Sequence, residues 1–188
     1  MIDAGVKALI AAFPLGFTAT VTPEGAPAVA PKGTFLVLGD ATLGFADIRS
    51  PGTLRNLRAN PACEINFIDI LKRKGARLAG RARIVPKGEA DFDALLPRWH
   101  AVWPDLSHRM RAFVLVDISS VATYRTPPYD DGATEEEMVA TYKTKFAEMY
   151  QRRQCSRRET RSAVGRGPSL RRHAGVGADG ADRPRGPL

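Results

Sequence analysis

The sequence predicts a mainly β protein of the α+β class, with six antiparallel strands closing into a small barrel and helices at its periphery. Three observations predict it. Short segments of alternating polarity recur between turn residues, as in "GFTATV" followed by "TPEGAP". Most of these segments are joined by turns and not by helices, which argues against a doubly wound parallel sheet. Closing so small a sheet into a barrel removes its exposed edges.

The elements follow in order. Ile2, Val6, Leu9, Ile10 and Phe13 recur at helical spacing and predict a short amphipathic helix over 2–13. In the first strand Phe17, Ala19 and Val21 share one face, and Thr18 and Thr20 the other. "AVAPKGTFLVL" reads as one second strand, with Pro31 marking an edge or bulge. "ATLGFAD" is the third strand. "RSPGTLRNLRANP" is a helix in which Ser50 can cap, Pro51 suits the first helical position and Asn60-Pro61 ends the run. "ACEINFID" and "ARLAGRARIV", joined by the basic turn "ILKRKG", are strands four and five. "GEADFDALLPRWHAVW" is helical, with Phe92, Leu95, Leu96 and Trp99 on one stripe, and "MRAFVLVDISSVATYR" is a long or bent sixth strand. A last helix opens on a capping box, Thr134 with Glu137, and carries Met138, Tyr142 and Phe146 as a packing stripe.

The formal net charge of +8 invites a nucleic-acid reading, but the charge is unevenly placed. Residues 1–150 hold 18 basic and 17 acidic side chains, whereas 151–188 hold 10 arginines and 3 acids. The body, 1–150, is therefore nearly neutral. The tail, 151–188, is rich in Arg, Gly and Pro and too poor in large apolar residues to offset its ordering entropy, so it reads as disordered. Its composition also matches an unintended reading frame of GC-rich DNA. Nucleic acid is expected to bind only non-specifically, through this tail. "VKALIAAFPLGF" is too short to span a bilayer and lacks the basic start of a signal peptide, so no membrane association and a cytoplasmic location are expected. Cys63 and Cys155 form no metal-ligand spacing, and no metal is expected.

Two constellations carry chemistry. The start of the 51–59 helix offers free N–H groups and partial positive charge, with hydroxyls from Ser50 and Thr53 and cations from Arg49 or Arg55, the elements of a phosphate cradle. Lys32 reaches it if the second and third strands pair. An ordinary capped helix with solvated arginines is the competing reading. The second constellation is the cationic face of Arg77, Arg81 and Arg83, either a solvated or subunit-facing strand surface or an extra cation for an anionic ligand. No glycine fingerprint, nucleophile elbow or carboxylate pair is present. If the chain is an enzyme, a cofactor supplies its chemistry.

"FTATVTPEGAPAVAPKGTF", "LGFADIRSPGTLRNLRANP" and "GARLAGRARIV", in this order, resemble the pyridoxamine 5′-phosphate oxidase-like FMN-binding split-barrel family over residues 8–125, and "TPPYDDGATEEEM" resembles its members too. The resemblance implies a six-stranded split β-barrel, a homodimer, and FMN in clefts at the dimer interface, in an oxidoreductase whose substrate is not specified. Lys32, Thr34, Ser50 and Thr53 would hold the phosphate, with Asn56 nearby. Phe45, Ala46 and Asp47 would line the ring or ribityl portion, largely through backbone. Many relatives carry a basic residue where this chain has Gly52, so Arg49 or Arg55 would supply that charge. The Arg-Leu-x-Pro motif of the true oxidases is lacking, so pyridoxine-phosphate oxidation is not implied. Some relatives bind a deazaflavin or haem in place of FMN, and a non-catalytic binding or sensing protein is the alternative to an enzyme.

Overall fold

The computed structural model describes residues 1–164, with side chains to residue 151. The chain divides into two units, Met1–Lys145 and Phe146–Leu188. The first holds α1 (Ala4–Ala12), β1 (Gly16–Val21), β2 (Pro27–Lys32), β3 (Phe35–Val37), β4 (Thr42–Asp47), α2 (Pro51–Ala59), β5 (Ala62–Asp69), β6 (Lys74–Pro86), α3 (Ala90–His100), α4 (Pro104–Ser107) and β7 (Ala112–Arg125). The last helix, α5 (Glu135–Val164), begins in the first unit and runs past Tyr150, into the segment whose composition suggests disorder. The rest of that segment, 165–188, lies outside the described residues.

All strands join one antiparallel sheet in the order β2-β1-β5-β6-β7-β4-β3. It has seven strands, not the expected six, because "AVAPKGTFLVL" is two strands. A continuous strand would alternate its facing, yet Lys32, Thr34 and Phe35 are all buried. The phase slips at Gly33-Thr34, and the chain leaves β1 to pair Phe35 with Phe45 of β4. The two edge strands of the sheet are thus consecutive in the chain and separated by two residues. Only a sheet that curls back on itself can meet this constraint, so the split barrel follows from connectivity.

The inner face packs α1 and α2 against Phe35, Phe45, Ile65, Phe67 and Leu78. The outer face, at the β4 and β7 side, is covered by α3 and α4, where Phe92, Trp99 and Phe113 form a stacked column. Gly44 lies under this column: a Cβ there would stand 2.8 Å from Trp99 Cη2. β7 is indeed irregular, since the register with β6 slips between Ala79 and Gly80. Gly80 is required at the slip, because a Cβ would meet the Asp117 carbonyl oxygen at 2.3 Å.

Cys63 is a core thiol, and burial pushes its pKa up to about 11. The capping box of α5 forms in both directions, Glu137 N to Thr134 Oγ1 at 3.2 Å and Thr134 N to Glu137 Oε2 at 2.9 Å. Asp3 caps α1 by accepting from Val6 N at 2.9 Å. In β1 the threonine face turns inward: Thr18 and Thr20 are buried, and Phe17 is 41% exposed.

Candidate functional site

The start of α2 stands over one side of the barrel. Pro51 occupies the first helical position as expected, but the Ser50 side chain makes no capping hydrogen bond. Its φ and ψ of −132° and 56° leave the extended conformation in which a serine hydroxyl meets the next turn. Only the Ser50 carbonyl joins the helix, accepting from Leu54 N at 3.1 Å. The hydroxyl and the partial positive charge of the first turn therefore remain available beside the helix.

Facing them is a cleft of about 460 Å³ between α2 and the β1–β2 hairpin. Lys32, Arg49, Ser50, Thr53 and Asn56, five residues expected at the site, line it together with Arg55. The expected pairing of the second and third strands forms, but only through the second half of that segment, β3 on β4, whereas Lys32 lies on β2, which pairs with β1. It comes from the last position of β2, just before the break. It is only 8% exposed, and its ammonium donates to the Pro31 carbonyl at 3.3 Å. Burial pushes its pKa below the ordinary lysine value, and the charge of Asp47 partly offsets this. A buried ammonium held by one long hydrogen bond is costly unless an anion shares the site. Asn56 and Thr53 are also buried, and Asn56 Nδ2 donates to Thr20 Oγ1 at 3.0 Å. Asn56 Oδ1 is a buried acceptor with no partner among the described residues.

The other expected residues lie outside this lining. The Thr34 hydroxyl donates to the Ala46 carbonyl at 3.1 Å and accepts from Ala46 N at 3.0 Å, so the two residues are committed to each other. The Phe45 ring is fully buried in the inner core, 5.3 Å from the Phe35 centroid, and its backbone lies in the ladder between β3 and β7. Asp47 is buried at the end of β4, with Oδ1 unpartnered among the described residues. Thr20, Thr22 and residues 28–31 line the cleft and went unread in the sequence. The signal for Thr20 was its alternation with Thr18, masked by the apolar residues on the opposite face.

A larger groove, about 940 Å³, runs between α1 and the ends of β6 and β7. Its lysines are already matched: Lys72 and Lys74 lie 2.9 and 2.6 Å from Glu135. The cations of the smaller cleft make none of the ion pairs seen among the described residues, and Asp47 only partly offsets Lys32. Its lining holds no carboxylate, imidazole or thiol. It can bind and orient an anion, and apart from Lys32 its lining offers no general acid or base.

Among the described residues no helix is long and apolar enough to cross a membrane, and no cluster of side chains suits a metal ion. No curated protein sequence matches the chain. Solved structures do. HupZ of Group A Streptococcus is 25% identical, with a TM-score of 0.59 over 67% of this chain and 96% of that one. An FMN-binding protein from Syntrophomonas wolfei is 15% identical, with a TM-score of 0.54 over 64% of this chain and 84% of that one. An F420 reductase is 22% identical, with a TM-score of 0.51 over 64% of this chain and 98% of that one. The family model for pyridoxamine 5′-phosphate oxidase matches residues 2–125, which span every strand of the curled sheet and the whole cleft. By that match, the chain belongs to the pyridoxamine 5′-phosphate oxidase family.

Proposed function

We propose that this chain is an FMN-binding flavoprotein that works as an FMN-dependent oxidoreductase, with the flavin phosphate in the cleft at the start of α2. The observation that carries the reading is the buried Lys32 ammonium beside a helix start whose serine hydroxyl does not cap it. In this reading Lys32, Ser50 and Thr53 hold the phosphate, with Arg49 or Arg55 as the outer cation. Asn56 Oδ1, an acceptor, suits a ligand hydroxyl. Bound FMN would supply hydride or electron transfer. The protein residues bind, orient and neutralise, consistent with a lining in which Lys32 is the one acid–base group. The Syntrophomonas wolfei protein of similar fold is FMN-binding, which supports the choice of flavin.

Two further points belong to the same proposal. The chain works in the cytoplasm, and it works as a homodimer. Phe17 and Val29 are 41% and 65% exposed on the outward face of β1 and β2, with Arg77 and Arg81 farther along that face. Val29 and Pro31 border the cleft as well, so a second copy seated there would also meet the ligand. Light scattering should give the mass of two chains.

The test of the flavin is direct. FMN at a hundredfold excess over its dissociation constant should stabilise the fold by about 2.7 kcal/mol, read as a thermal shift. A shift with haem or a deazaflavin, and none with FMN, would overturn the choice. FMN that binds but is not reduced by any nicotinamide donor would favour the binding or sensing alternative.

The pH dependence has two opposite signs. Lys32 has a lowered pKa in the fold, so the unfolded chain holds its proton to higher pH. Without ligand, the Lys32 contribution to stability should rise with pH from its folded pKa up to the ordinary lysine value. FMN affinity should fall over the same window, because the phosphate loses its cation. Lys32→Arg should abolish both trends. An FMN affinity that is flat across that window would remove Lys32 from the phosphate site.

A further inference from the structure

The two residues that join the edge strands belong to no ladder, so their backbone polar groups need partners elsewhere. Thr34 is bonded in two directions, through its carbonyl and through its side chain. Its carbonyl accepts from the Trp99 indole N–H at 2.9 Å. Its hydroxyl makes both hydrogen bonds to Ala46, in the place of a ladder rung. Trp99 is fully buried and stacked on Phe113 at 4.1 Å, and Gly44 leaves room for its ring. Lys32 is two residues away, on the other side of Gly33.

Resting on the phosphate reading of the cleft, we infer that Trp99 and Thr34 form a latch across the barrel seam that positions Lys32 for the ligand. Trp99 is not among the residues that line the cleft, so it is a positioning residue. The bend at Gly33 has no strand partner to fix it. Lys32 is the last ladder residue of β2, opposite Gly16 of β1, and without the latch this end pair borders an unfixed bend and should fray, turning Lys32 toward solvent. The ring stack alone would keep α3 on the sheet but would not hold the seam.

Trp99→Phe removes the N–H and keeps an aromatic ring in the column. The readout is the acetylation rate of Lys32 by acetic anhydride, followed by peptide mass spectrometry, with the exposed Lys87 as internal reference. In the wild type Lys32 should react slowly. In Trp99→Phe its rate relative to Lys87 should rise about tenfold, the weight of one buried hydrogen bond. The FMN-to-riboflavin affinity ratio should fall by a similar factor. Thr34→Val is an independent lesion of the same latch and should do likewise, whereas Thr34→Ser, which keeps the hydroxyl, should restore the wild-type rate. A lower melting temperature with an unchanged Lys32 rate in both Trp99→Phe and Thr34→Val would make the contact merely structural and overturn the inference. If the wild type binds FMN and riboflavin equally, the phosphate reading fails, and the labelling rate still decides whether the latch holds Lys32.

Discussion

Lys32→Ala should weaken FMN by about 10- to 150-fold while changing riboflavin little. A hydrogen bond to a charged group is worth roughly 1.5–3 kcal/mol, and riboflavin lacks the phosphate that this ammonium would meet. The neighbouring charges set the upper end. Arg49 and Arg55 are exposed at the rim of the cleft, where solvent screens them, so neither can replace a cation that is 8% exposed. Removing the buried ammonium should also relieve its desolvation cost, so the ligand-free variant should melt no lower than the wild type. Fluorescence quenching of each flavin, run on wild type and variant, gives the comparison. Equal losses for the two ligands would place Lys32 away from the phosphate.

Phe35→Ala should be the most damaging of the single core truncations near the seam. Phe35 is 2% exposed and lies edge-on to Phe45 at 5.3 Å and to Phe67 at 4.8 Å. It is also the first residue of β3, so it anchors the strand that closes the barrel. Truncating a buried phenylalanine costs about 3–5 kcal/mol, because the cavity cannot fully collapse. For a chain of this size that is a fall in melting temperature of roughly 6–20 °C. Flavin binding should fail with the fold and not before it. A loss under about 1 kcal/mol would mean that the two remaining rings close over the gap.

These two residues also show where the sequence was legible and where it was not. The hydroxyls of Ser50 and Thr53 could be named from sequence because helix starts have local signals, Pro51 at the front and Asn60-Pro61 at the end, whereas Lys32 was named through a strand pairing and the family resemblance. The Thr134–Glu137 capping box was legible for the same reason. The break before Phe35 was not. "PKGTFLVL" keeps the composition of a strand, and what interrupts it is the meeting of two sheet edges, a tertiary demand with no local trace. The facing of β1 was hidden by chemistry: Phe17, Ala19 and Val21 form the more apolar face, yet that face is outward. Trp99 could be placed on a helix stripe, but nothing near it in sequence points to the Thr34 carbonyl, 65 residues away. The family resemblance assigns Thr34 and Ala46 to a ligand, whereas the structure commits them to each other. Asp47 was expected to act through its backbone, and its side chain instead supplies a negative charge near Lys32.

The central claim is that the cleft between α2 and the β1–β2 hairpin recognises the phosphate of a flavin. Calorimetric titration of the wild-type protein with FMN and then with riboflavin tests it most directly. The account predicts FMN binding at least about tenfold tighter than riboflavin, the weight of a charged phosphate contact, with the difference shrinking as salt is raised. Equal affinity for the two, unaffected by salt, would contradict it.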